Sequence, residues 1–348
     1  VNTIKAFYMM KVSHICSERE KMNIAVISVT EQGDIIAEKL KESLDIDLYS
    51  RESVKKSGIK VLTEKIIKEY KAIIFISSTG IAVRAIANYL ESKDKDPAIL
   101  VIDSSSKFVI SLLSGHLGGA NELTLKVANI FKSIPVITTA TDNMGVTAPD
   151  IIAKNYELVI DDLKDAKKIA ALLVDKKQVA FLDKKNIITL PKGYTSNIKE
   201  AEGIVYVTHN LKENSDVYKK NMLRLIRKDI ILGIGCRKDF DPGRMRDCVD
   251  DILAEYNLDK RAVKAVATVE IKKHEKAILK LEEYLGCELK IFSLEEIRKI
   301  HHKYAGSDFV EKTIGVRAVC EPCVELMGAE LITEKIKANG MTICIGQI

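Results

Sequence analysis

Apolar and polar positions alternate along this chain with two different periods. Continuous apolar runs at 23–29, 72–77, 98–103, 108–113 and 135–140 predict strands, and apolar residues at helical spacing predict helices at about 34–44, 61–70, 82–90 and 120–131. Strands alternating with helices predict a three-layer α/β unit. One connection is different, because only Ser104 to Lys107 separates 98–103 from 108–113. Four residues cannot make a parallel crossover, so these strands are expected to pair as a hairpin and the sheet to be mixed.

Beyond Pro149 the pattern changes to a Lys- and Asp-rich helix at about 161–174 and short strands at 178–182 and 203–208, with a polar run at 209–221. No glycine turn closes a strand onto a helix there, which leaves this stretch poor in candidate chemistry. A third unit opens at Asp229, with a buried-type strand ending in Gly233, Gly235 and Cys236 and a helix at about 242–256. Strands at 263–269, 288–292 and 341–346, and helices at 273–285, 294–300 and 307–326, are expected to complete it. The predicted fold is thus multi-domain α/β, built of three-layer α/β/α units with mixed sheets. The predicted division is an N-terminal extension (1–21), a first α/β domain (22–150), a small linking domain (151–228) and a C-terminal α/β domain (229–348).

Length agrees with this division, since 348 residues suggest about two or three domains. Charge narrows the partners: 54 basic against 49 acidic residues leave a net +5, no electrostatic footprint for nucleic acid. No apolar run is long enough to span a bilayer, and no signal-peptide pattern occurs in 1–21, which reads as an extension upstream of Met22. Seven cysteines without a regular framework favour a reducing, cytoplasmic compartment. Cys320 and Cys323 have the spacing of half a zinc site, but the other half is missing, so they are expected to be helix-face residues and no metal is expected.

Three small-residue turns follow apolar strands in the first unit. In the turn Ser114 to Asn121, His116 stands among Gly115, Gly118 and Gly119. Such glycines leave room for a ligand and offer N–H groups to an oxyanion near a helix start, with His116 as base, donor or metal ligand. The alternative is a tight structural turn that His116 caps. In the second turn Ser78, Thr79 and Gly80 precede Arg84, expected on the first turn of the next helix; together they suit a carboxylate or phosphate. Against that, Thr79 can be a helix cap and Arg84 a solvated charge. The third turn places Thr139, Thr141 and Asp142 at a strand end, where Asp142 can orient His116, accept a proton or simply bond its own backbone. Gly235, Arg237 and Lys238 close the strand of the third unit, and the absence of a third glycine at the required spacing argues against a nicotinamide cofactor. Cys236 has no His beside it and is expected to be a buried structural thiol; His301-His302 reads as surface.

These segments resemble a known family. Ser78 to Arg84, Ser92 to Pro97, Val109 to Asn121 and Pro135 to Asp142 are similar to the amino-terminal domain of the CbiG family, and Gly233 to Arg237, Ala267 to Val269, Phe292-Ser293 and Val319 to Pro322 to its carboxy-terminal domain, which is related to CobE. The likeness runs in order from about Met22 to Gly346, is weakest over 151–228, and departs at Cys323, where the family pattern continues with small apolar residues, as a packing variation. It implies a cobalt-precorrin-5A hydrolase that opens a lactone on a contracted cobalt-corrinoid and releases acetaldehyde, giving cobalt-precorrin-5B in anaerobic cobalamin synthesis. The residue roles assigned beside it are His116 as base, Gly118 and Gly119 as oxyanion donors and Asp142 as an accessory carboxylate. Substrate contacts are expected from Ser78, Thr79, Gly80, Arg84, Ser114, Gly115, Asn121, Thr139, Thr141, Gly235, Arg237 and Lys238, around a cleft between the first and third domains. The substrate brings its own cobalt, so no cofactor is expected. Partners are the anionic corrinoid and other enzymes of the pathway. A corrinoid carrier without catalysis, and a phosphate-binding protein, are the competing readings.

Overall fold

The computed structural model describes residues 23–92, 95–212, 221–338 and 340–348. The expected extension 1–21 and residues 93–94 of the Ser92–Pro97 segment lie outside the described residues. Two compact units divide the chain, Val1–Thr139 and Ala140–Ile348.

The first unit contains β1 (Ile24–Ser28), α1 (Glu31–Lys41), β2 (Ile46–Tyr49), α2 (Arg51–Ser57), α3 (Ile59–Ile66), β3 (Ala72–Ile76), α4 (Thr79–Ile86), β4 (Ala98–Ile102), β5 (Phe108–Leu113), α5 (Ala120–Phe131) and β6 (Ile134–Val136). Its sheet runs β2-β1-β3-β4-β5-β6. Every residue of β1, β3 and β4 is buried, as expected when helices cover both faces of a sheet. Val26, Ile74 and Leu100 cluster with Ala37 and Leu40 of α1 and Leu123 and Val127 of α5. Alternate residues Ile27, Phe75 and Ile99 cluster with Leu62 and Ile66 of α3 and Ala82 and Ile86 of α4.

Strand direction decides where the turns fall. β1 to β4 are parallel, β5 runs antiparallel to β4, and β6 is parallel to β5. The expected hairpin is therefore present, tightened by Asp103, whose carboxylate accepts from the backbone N–H groups of Ser105 and Phe108. Because β5 and β6 are reversed, their C-terminal ends lie at the sheet edge where β1, β3 and β4 begin.

The second unit opens with α6 (Ala140–Met144), α7 (Pro149–Asn155), β7 (Val159–Ile160), α8 (Leu163–Val174), β8 (Val179–Asp183), β9 (Gly203–Thr208) and β10 (Asn221–Ile226). β7-β10-β9-β8 form a four-stranded sheet. There follow β11 (Ile230–Cys236), α9 (Pro242–Glu255), β12 (Val263–Val269), α10 (Lys276–Leu285), β13 (Glu288–Phe292), α11 (Leu294–Ile300), α12 (Asp308–Ile314), α13 (Cys320–Leu326), β14 (Glu330–Leu331), β15 (Ile336–Ala338) and β16 (Met341–Gln347). They build a second mixed sheet, β13-β12-β11-β16-β14, with β15 paired to β16. The helix expected over 307–326 is two helices, because Gly315 adopts φ 74° and ends α12 in the left-handed region. α13 lies so close to β11 that a Cβ on Gly233 would stand 2.0 Å from the Cys320 carbonyl oxygen.

Two partly buried ion networks tie the sheets of this unit together. Asp161 pairs with Arg224 of β10 at 2.8 Å and with Arg261 at 2.6 Å, and Arg261 also reaches Asp259 at 2.6 Å. Asp229, 5% exposed, pairs with Lys185 at 2.7 Å and His209 at 3.2 Å and accepts from Gln347 at 2.9 Å.

Candidate functional site

Backbone hydrogen bonds and the side chains of Ser114 and Asn121 hold the turn from β5 to α5. Ser114 adopts φ 56°, unusual for a residue with a side chain. Its hydroxyl donates to the Asp96 carbonyl at 3.0 Å, and its carbonyl accepts from the Ala120 N–H at 3.1 Å. Gly115 O accepts from the Asn121 N–H at 3.0 Å, and His116 O from the Gly119 N–H at 3.1 Å. Gly119 takes φ 85° to turn the chain into α5. His116 is half-buried.

The glycines serve this packing. A Cβ at Gly115 would stand 2.7 Å from Asn121 Oδ1, and one at Gly118 would stand 2.5 Å from Ser114 Cβ and 2.8 Å from Ser114 O. The room expected for a ligand at these two positions is thus taken up by Asn121 and Ser114. The expected oxyanion pair also changes, because the Gly119 N–H is committed to His116 O. Among the described residues the Gly118 N–H has no such backbone partner.

Asn121 joins three elements. Its Oδ1 accepts from the Ser111 hydroxyl of β5 at 2.7 Å, and its Nδ2 donates to Thr139 Oγ1, just beyond β6, at 3.1 Å. At 8% exposure it braces the turn from within. Ser111 and Asp96 were absent from the expected set. A polar residue inside the apolar run Phe108–Leu113 is the available signal for Ser111, and the family-like segment Ser92–Pro97 is the one for Asp96.

Ser114, Gly115, His116, Gly118, Asn121 and Thr139 are therefore brought together. Ser78, Thr79, Gly80 and Arg84 are not with them. They follow the C-terminal end of β3, at the opposite edge of the sheet, one five-residue strand or roughly 16 Å away. Arg84 stands exposed in the last turn of α4, not the first, because the helix already begins at Thr79 with Ser78 as N-cap. Around the Gly80 Cβ position there is open space.

The remaining candidates belong to the second unit. Thr141, buried, and Asp142, half-buried, lie on α6, where their carbonyls accept from the N–H groups of Val146 and Gly145. Gly235 pairs with Thr342 across β11 and β16, and the Arg237 N–H donates to Gly340 O at 2.9 Å. The Arg237 and Lys238 side chains are exposed. Burial pushes the Cys236 thiol up to about 11, which disfavours a nucleophilic thiolate. Cys320 and Cys323 are buried in α13, where the Cys320 thiol donates to Glu321 at 3.0 Å. Among the described residues no group of three His, Cys, Asp or Glu could hold a metal ion. His301, expected at the surface, accepts from the Arg317 N–H at 2.8 Å. No helix among the described residues is long and apolar enough to cross a membrane.

Comparison with known proteins now adds to this geometry. Residues 61–142 match the family model for cobalamin synthesis G N-terminal, 147–225 that for the cobalamin biosynthesis central region, and 230–346 that for the cobalamin synthesis G C-terminus. The cobalt-precorrin-5A hydrolase of Salmonella typhimurium is 31% identical over 343 residues, covering 93% of this chain and 97% of that protein. The probable cobalt-precorrin-5A hydrolase of Methanocaldococcus jannaschii is 32% identical, covering 93% and 98%. A solved structure of CobE, a protein from the cobalamin (vitamin B12) biosynthetic pathway, aligns with 34% of this chain and 89% of its own at 20% identity and a TM-score of 0.32. The chain belongs to the cobalamin synthesis G (CbiG) family.

Proposed function

We propose that this protein is a cobalt-precorrin-5A hydrolase of anaerobic cobalamin synthesis, opening the ring lactone and releasing acetaldehyde to give cobalt-precorrin-5B. The observation that carries this reading is the near full-length match to curated hydrolases of that name, at 31% and 32% identity over 93% of the chain. The β5–α5 turn supports it chemically. Lactone opening needs water activated by a base and an oxyanion held by donors. His116 is the base, and the Gly118 N–H is one donor. Cobalt enters as part of the substrate, the protein contributes no cofactor of its own, and the reaction takes place in the cytoplasm.

The test is anaerobic incubation with cobalt-precorrin-5A, trapping of the aldehyde and mass analysis of the corrinoid. One equivalent of acetaldehyde with the ring-opened product is expected. Binding without aldehyde release would make the protein a corrinoid carrier instead.

A further inference from the structure

We infer that Thr139 is a catalytic residue, its hydroxyl supplying the second hydrogen bond to the lactone oxyanion while Asn121 aims it. This rests on the hydrolase reading above. A tetrahedral intermediate is usually held by more than one donor, and the Gly119 N–H is already engaged by His116 O at 3.1 Å. A different donor is required at this end of the sheet.

The Thr139 hydroxyl has the needed polarity. Ser111 donates to Asn121 Oδ1 at 2.7 Å, which turns the Asn121 amide so that Nδ2 donates to Thr139 Oγ1 at 3.1 Å. A hydroxyl that accepts along that direction must send its own proton elsewhere, and each bond in such a chain polarises the next. Thr139 is half-buried, whereas Asn121 is buried and its side chain packs on Gly115, the neighbour of His116. The brace thus fixes a directed donor and the His116 turn as one body. In the step itself, water attacks the carbonyl carbon and gives its proton to His116. The carbonyl π pair moves onto oxygen, where Thr139 O–H and Gly118 N–H hold it. Collapse breaks the ring acyl C–O bond, and the departing alkoxide takes the proton back from His116. Water, acid and alcohol balance without an added reagent.

The experiment compares wild type with Thr139→Val, Thr139→Ser and Asn121→Ala, using cobalt-precorrin-5A under anaerobic conditions and scoring per folded molecule. Thr139→Val should lower kcat by about 100-fold or more, leave corrinoid affinity within about threefold as expected for a bond made only in the transition state, and keep the wild-type shape of the pH profile. Thr139→Ser should recover most of the loss. Asn121→Ala should also lower kcat, since Asn121 both aims Thr139 and packs on the His116 turn. Thr139→Ala stands in if the valine variant does not fold. A wild-type kcat in the variant lacking the hydroxyl, with active wild-type enzyme alongside, overturns this inference alone. A wild type that binds corrinoid but releases no aldehyde overturns the hydrolase reading, and this inference with it.

Discussion

The Ser114 hydroxyl, just past the end of β5, donates to the Asp96 carbonyl, just before the start of β4, at 3.0 Å. That bond marks which edge of the first sheet carries His116. It is the edge where the parallel strands begin, whereas Ser78 to Arg84 follow the edge where they finish. Ligands of open α/β sheets usually lie beyond the C-terminal strand ends, and the reversed β5 and β6 give this sheet a second set of such ends on its other side.

One consequence is energetic independence. Groups more than about 10 Å apart with no shared partner contribute additively. The losses in kcat/KM for Arg84→Ala and His116→Ala should therefore add in the double variant within about 0.5 kcal/mol. Coupling well above that, from steady-state kinetics of all four proteins, would mean that both side chains grip one small part of the substrate.

The hairpin that reverses β5 was legible from its four-residue connector. Its consequence for the turns was not, because adjacency in sequence suggested a shared rim where strand direction imposes opposite edges. Arg84 was misplaced along its helix because apolar spacing located α4 from residue 82, whereas it starts at Thr79. The strand expected over 135–140 is shorter, since Ala140 already begins α6. β2 went unpredicted: four residues at a sheet margin, only Ile46 of them buried, carry little apolar signal. Glycines announced the turn at 114–119, but which side chains fill the space beside them depends on tertiary contacts.

Glycine substitutions should separate packing from access. Gly118→Ala meets Ser114 at 2.5 Å, and Gly233→Ala meets the Cys320 carbonyl at 2.0 Å. Each should destabilise the protein by about 2 kcal/mol or more. Gly80→Ala enters open space within a helix and should be neutral or stabilising by up to about 1 kcal/mol. Chemical denaturation of the three variants checks the ranking, which fails if Gly80→Ala is the most damaging.

Acid should release the carboxylate ion pairs of the second unit. Burial pushes the Asp229 carboxyl up, but His209, Lys185 and Gln347 outweigh it and hold the group below its ordinary value. Arg224 and Arg261 do the same for Asp161, and Arg261 for Asp259. A depressed folded value means that the stabilisation is complete above about pH 4, the unfolded carboxylate value, and is lost as pH falls through the lower folded values. The Asp161 and Asp259 pairs with arginine should therefore contribute no pH dependence to Tm between pH 5 and 7 and a fall below about pH 4. Asp229→Asn should cost about 2 kcal/mol at neutral pH and make the acid fall shallower. A variant with wild-type acid sensitivity would show that Asp229 does not contribute to it.

The central claim is that His116 activates water for lactone opening at the β5–α5 turn. Its most direct test is single-turnover acetaldehyde release from cobalt-precorrin-5A under anaerobic conditions, at saturating enzyme, comparing wild type with His116→Ala. The account predicts a burst of one equivalent from wild type and a rate at least about 100-fold lower from the variant, with corrinoid affinity within a few-fold and Tm little changed. Release at the wild-type rate by folded His116→Ala would contradict it.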